Sequence, residues 1–164
     1  LDEGFRRDMD DAAPIARRLE AMRAFHEAGV RTTCFISPIF PGITDAEAII
    51  RKVRGYCNLV WLENLNLRGG YKQVILDYIA EKHPDLVSLY DTIYRKKDRR
   101  YWAELDAQMR QFCQEEELLY VRDDDSIRRS FDAPPIVVNY FFHEEIIPSA
   151  KKKKENMEAT LPQL

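Results

Sequence analysis

Three cysteines, Cys34, Cys57 and Cys113, are the first side chains in this 164-residue sequence to weigh for chemistry. They are odd in number and widely spaced, so neither a disulfide framework nor a Cys-x-x-Cys metal site can be read from them. Reduced, mostly buried thiols are expected. Asp123-Asp124-Asp125-Ser126 offers carboxylates for a hard cation but lacks the spaced oxygen ligands and glycine of a calcium loop. Capping a helix that starts near Ser126 explains it better. His143-Glu144-Glu145 has no second histidine four positions after the first and is therefore not a zinc-protease motif. His26 and His83 have no nucleophile or base beside them in sequence, and no Gly-rich phosphate loop or Gly-x-Ser-x-Gly elbow occurs.

The segment Tyr94-Arg95-Lys96-Lys97-Asp98-Arg99-Arg100-Tyr101-Trp102 interleaves cations with aromatics. Such a mixture can grip phosphates and stack bases, so Arg95, Lys96, Lys97, Arg99 and Arg100 are candidate contacts to a nucleic-acid substrate. The competing reading is a solvated helix junction with Tyr101 and Trp102 turned to the core. The net charge of −3 and pI near 5.7 favour the junction. Lys151 to Lys154 read as part of a solvated tail from 149 to 164.

Several elements must position these groups. Pro14 opens a helix whose apolar positions Ile15, Leu19, Met22 and Phe25 recur at helical spacing, and Gly29 stops it. Val30 to Phe40 reads as a buried strand closed by Ser37, Pro38 and Pro41-Gly42. Thr44-Asp45-Ala46-Glu47 matches a capping box for a short helix carrying Ile49, Ile50 and Val53. Asn58 to Asn66 reads as a second buried strand ending in Glu63, Asn64 and Asn66, with a turn at Gly69-Gly70. Helices are predicted over about 71–82, 85–95 and 98–117, and short strands over 118–121 and 136–142.

Alternating helices and strands with short connections imply parallel strands and right-handed crossovers, hence an α/β fold. Two or three such strands are too few to close a barrel, which takes about eight, or about six in partial barrels. Leu1 in place of Met, followed by the charged stretch to Asp11, suggests a chain entered partway through. No apolar run approaches the roughly 20 residues of a membrane span, so a cytoplasmic protein is expected.

The stretch Arg18-Leu19-Glu20-Ala21-Met22, through Ala28-Gly29-Val30, into Phe35-Ile36-Ser37-Pro38-Ile39-Phe40-Pro41-Gly42-Ile43-Thr44-Asp45, resembles radical S-adenosylmethionine proteins of the spore photoproduct lyase or DNA repair photolyase-like type. In that family a helix ending in Ala-Gly leads into a strand closed by a Pro-x-x-Pro-Gly-x-x-Asp loop. The resemblance covers about residues 2–70. It implies the second part of a partial βα barrel over 1–70, followed over 71–148 by a mainly helical extension packed on that barrel.

The resemblance also implies a parent enzyme with S-adenosylmethionine on a [4Fe–4S] cluster, held by a Cys-x-x-x-Cys-x-x-Cys motif that this chain lacks. No cofactor is expected on this chain alone. Its share would be the far wall of the cofactor pocket, from Ser37, Pro38 and Ile39 at one strand end and Asn64, Leu65 and Asn66 at the next. Ligand groups do gather at the carboxyl ends of parallel strands, although turn and loop capping would also account for these residues. The expected partner is the N-terminal half of the same protein, with self-association through an exposed barrel edge as a further possibility. A non-catalytic binding or packing module is the alternative function.

Overall fold

The computed structural model describes residues 2–121 and 136–139. The predicted tail, Asp123 to Ser126, His143 to Glu145 and the end of the 136–142 strand lie outside these residues. Four strands form one parallel sheet, namely β1 (Thr33–Ile39), β2 (Leu59–Asn64), β3 (Leu119–Val121) and β4 (Ile136–Asn139). Their spatial order is β1-β2-β4-β3, which puts β1 and β3 at the edges. The α/β class and the parallel β1–β2 pair match the expectation from sequence. The two later strands join the same sheet.

Helix α1 (Glu3–Met9) was not foreseen in the charged opening stretch. The Asp2 carboxylate caps it, accepting from the amides of Gly4 at 2.7 Å and Phe5 at 3.0 Å. Phe5 anchors it edge-on against Phe40, with ring centroids 4.8 Å apart. Helix α2 (Ile15–Glu27) ends as predicted. Gly29 takes φ +78°, and its amide and that of Val30 return to the carbonyls of His26 and Phe25. This is the paired closure of a Schellman end. Leu19 and Met22 pack on the core while Phe25 stays 59% exposed.

β1 was expected to be a buried strand, and it is buried on one face. Cys34, Ile36 and Ile39 face the core, and Phe35 is 57% exposed on the opposite side, edge-on to Trp61 of β2 at 6.0 Å. The covered face meets Ile50 and Val53 of helix α3 (Ala46–Val53) and Trp102, Met109, Phe112 and Cys113 of helix α6 (Arg100–Glu115). Each fully buried aliphatic side chain there contributes about 1.5–3 kcal/mol.

The capping of α3 also differs from the sequence reading. Asp45, not Thr44, is the cap, accepting from Ala48 N–H at 2.9 Å. The Thr44 hydroxyl instead accepts from Phe40 N–H at 3.0 Å and closes the Pro41-Gly42 turn. Glu47 is thereby released to meet Arg51 and the Gln108 amide of α6. Glu116, just past α6, binds both Arg51 and Arg54 of the α3 end, and Arg51 lies over the Phe112 ring at 4.7 Å.

Between the sheet and α6 the chain runs through helix α4 (Tyr71–Lys82), a 3₁₀ turn at Pro84–Leu86, helix α5 (Val87–Tyr90) and a π-helical segment, Asp91–Arg95. The expected single helix over 85–95 is thus three short pieces. The wide turn ends where Lys96 N–H reaches Asp91 C=O and Lys97 turns to φ +57°. This break sets Lys97, Asp98 and Arg99 at the mouth of the sheet.

Gly42 combines φ +74° with a close approach, because a β-carbon there would stand 2.8 Å from Leu86 Cδ2. Gly29 has the same backbone sign but open space around it. Gly29→Ala is therefore expected to cost about 1–2 kcal/mol from the backbone alone, and Gly42→Ala distinctly more. Urea unfolding of the two variants measures the difference, and equal losses would mean that Leu86 yields freely.

Candidate functional site

The carboxyl ends of β1 and β2 lie side by side, and the pairing between them is not regular. Residues run in register from Thr33 with Leu59 to Ile36 with Leu62, and then Ile39 pairs with Asn64. One extra residue on β1 is accommodated at Ser37-Pro38, where proline has no N–H to give to the ladder. Ser37 and Pro38 both become exposed and Ile39 returns to the core at 3% exposure.

A cleft of about 330 Å³ opens at these strand ends, walled by Ser37, Pro38, Asn64, Leu65 and Asn66, with Glu63, Arg68 and Tyr71 completing it. Five of the six residues singled out from sequence therefore come together. Ile39 does not line this cleft, because the bulge returns its side chain to the core beside Cys34 and Ile36. The Ser37 hydroxyl donates to Glu63 Oε2 across the strands. Asn64 Oδ1 is buried and has no hydrogen-bond partner.

Tyrosine hydroxyls fix the loop after β2. Tyr94 donates to Leu65 C=O at 2.9 Å and Tyr71 donates to Asn66 C=O, while Arg68 Nε reaches Asn66 Oδ1 at 3.1 Å. Burial pushes the Tyr94 phenol well above its usual range, so it remains a donor throughout the physiological span. Residues 64–66 also form one wall of a second cleft of about 140 Å³, whose other side carries Lys72, Lys97, Arg99 and Trp102.

Glu63 was read with Asn64 and Asn66 as closing the second strand, at the start of a strand-end loop, but was not among the six pocket positions. Its signal was the two-residue alternation Trp61, Glu63 set against Phe35, Ser37. Arg68, Tyr71 and Lys72 carried no signal, since a loop and a helix start bring them in. Of the basic run, Arg95 and Lys96 pair with Asp91 at 3.8 and 3.3 Å, and Arg100 pairs with Asp98 at 2.6 Å. Trp102 is 5% exposed, and the Tyr101 hydroxyl accepts from Gly42 N–H at 3.2 Å. The aromatics of this run thus pack inward, and Lys97 and Arg99 are its basic members at the second cleft.

The cysteines are free and buried, and burial raises their thiols to about 11 at Cys34 and about 12 at Cys57 and Cys113. Among the described residues no group of three or more His, Cys, Asp or Glu side chains could hold a metal ion. Among them, too, no helix is long and apolar enough to cross a membrane.

No protein-family model and no solved structure matches the chain. Curated relatives do. An uncharacterized protein of Methanocaldococcus jannaschii is 28% identical over 81 residues, which is 49% of this chain and 30% of the relative. Uncharacterized proteins of Mycobacterium tuberculosis and Mycobacterium bovis are each 28% identical over 101 residues, 58% of this chain and 30% of the relative. The chain thus spans about a third of the length of the curated relatives it matches.

Thiols held at about 11–12 by burial stay protonated near pH 8. All three cysteines should resist a thiol reagent at that pH in the native protein and react together once it is unfolded in guanidinium. Because the folded values lie above the ordinary thiol value of 9.0, this contribution to stability is complete below pH 9 and is lost as pH rises toward 11–12.

Proposed function

We propose that this chain is the C-terminal part of a radical S-adenosylmethionine enzyme, a partial βα barrel fragment whose strand-end cleft forms the far wall of the cofactor pocket. The observation that carries the reading is Asn64 Oδ1, a buried acceptor without a partner at a cleft lined by Ser37 and Pro38. A buried acceptor left unpaired costs about 1–3 kcal/mol, which a ligand amino group would offset. Asn64, Asn66 and Ser37 are neutral amide and hydroxyl groups suited to the amino edge and ribose of S-adenosylmethionine.

The parallel strands support the same reading. Helices α3 and α6 cover one face, and Phe35, Trp61 and Leu119 stand on the other, where a barrel would have its interior. The cysteines of this chain do not suit the iron–sulfur cluster, because ligand thiolates need a low pKa and burial here does the opposite. Cluster ligands would therefore belong to the N-terminal half. When bound, the cofactor supplies a 5′-deoxyadenosyl radical by reductive cleavage, and this chain's residues orient it and exclude water.

The open face with Phe35 57% exposed equally suits a packing surface, which keeps a binding module as the second reading. Anaerobic analysis of the full-length gene product decides between them. Iron and acid-labile sulfide in equal amounts, with dithionite-dependent release of 5′-deoxyadenosine, are expected. Absence of both would leave the binding module. In the active enzyme, Asn64→Ala should raise the KM for S-adenosylmethionine roughly tenfold, as losing one such hydrogen bond implies.

A further inference from the structure

The loop after β2 is shaped from outside the cleft that it walls. Asn64, Leu65 and Asn66 line the Ser37 cleft, whereas Tyr94 lines only the second one. Along this stretch Leu65 and Leu67 are buried, at 4% and 8% exposure, while Asn64 and Asn66 keep partial exposure. How the two asparagines meet a ligand therefore depends on the peptide planes that flank Leu65. Leu65 N–H donates to Ile39 C=O of β1 at 3.2 Å, and Leu65 C=O accepts from the Tyr94 hydroxyl at 2.9 Å. The first bond continues the sheet ladder and is indifferent to side-chain type. The second depends on one phenol.

Tyr94 is itself fixed. It belongs to the π-helical segment Asp91–Arg95, and such insertions into helical chain recur at functional sites. Its ring packs against both the apolar cluster under the sheet and the one around Leu65 and Ile79, with the Tyr90 ring 5.6 Å away. Its own C=O accepts from Lys72 Nζ at 2.9 Å. A hydroxyl carried on a ring and backbone so restrained reaches Leu65 already in place, and a ligand then binds a wall whose ordering cost is met in advance. Tyr71 holds the next carbonyl, that of Asn66, from within the cleft.

We infer that Tyr94 is a positioning residue for the Ser37 cleft, acting through Leu65 C=O to hold the Asn64 and Asn66 amides where a ligand meets them. The inference rests on the cofactor reading for the identity of that ligand, S-adenosylmethionine, and goes beyond it in assigning part of the affinity to a hydroxyl outside the cleft. Without this bond the peptide between Leu65 and Asn66 loses the tie that sets its direction.

Tyr94→Phe removes the hydroxyl and keeps the ring. Tyr78→Phe is the control, because its hydroxyl donates to Asp8 at 3.0 Å and its ring packs on the same Leu65 cluster without lining the cleft. Two measurements on the full-length protein run side by side, amide hydrogen exchange over residues 62–68 and steady-state kinetics in S-adenosylmethionine on the anaerobically reconstituted enzyme. In Tyr94→Phe the amides of 65–67 are expected to exchange roughly tenfold faster, and KM to rise about three- to tenfold with kcat held within about twofold, as losing one hydrogen bond to the wall implies. Tyr78→Phe is expected to leave both unchanged. A role in global stability alone would move the two variants alike. Equal shifts in both variants, unchanged exchange in Tyr94→Phe, or faster exchange with an unchanged KM would overturn the inference and leave the cofactor reading in place. Should the unaltered protein release no 5′-deoxyadenosine, the cofactor reading falls, and the exchange measurement alone then decides whether Tyr94 sets the cleft wall.

Discussion

The parallel pairing of β1 with β2, and the single residue by which it slips, governs most of what this structure does. Up to Ile36 and Leu62 the strands alternate in step, so Cys34, Ile36, Val60 and Leu62 face the helices and Phe35 and Trp61 face away. Beyond that point β1 carries one more residue than β2. Were the alternation to continue, Pro38 would point into the core and Ile39 out of it. The bulge instead exposes Ser37 and Pro38 together, restores Ile39 to the core, and lets Leu65 N–H continue the ladder to Ile39 C=O at 3.2 Å. A strand end that would otherwise be closed becomes the rim of a cleft.

Apolar burial between the sheet and helices α3 and α6 supplies the driving force, and the polar contacts arrange what it holds. Glu116 with Arg51 and Arg54 is half-exposed, so its ion pairs contribute little on their own. Together with Arg51 lying over Phe112, they fix how the end of α6 meets the end of α3. The loop after β2 is held differently. Tyr71 and Tyr94 donate to its carbonyls, and both come from elements outside the sheet. Short, directional bonds to backbone keep the shared wall of the two clefts in one shape.

That shared wall separates two environments. On one side stand a hydroxyl, a carboxylate and amides, and on the other three cations and an indole. The difference arises because Ser37 of β1 and Glu63 of β2 stand on the first side, while the end of the π-helical segment before α6 leads to Lys97 and Arg99 on the second.

Sequence by itself determined the elements whose causes are local. The stop of α2 at Gly29, the extent of α4, and the order of strands and helices follow from proline, glycine and apolar spacing. The parallel β1–β2 pair follows from having a helix between them. Five of the six residues expected at the strand ends line the cleft there, because each lies where one of the two strands closes. The tertiary structure decided the rest. Asp45 rather than Thr44 caps α3 because Thr44 is engaged at Phe40. Ile39 leaves the site because register depends on the partner strand. Lys72, Lys97 and Arg99 meet only through the packing of α4 and the π-helical segment against the end of β2. Such convergence depends on long-range contacts, and no local pattern of residue types encodes them.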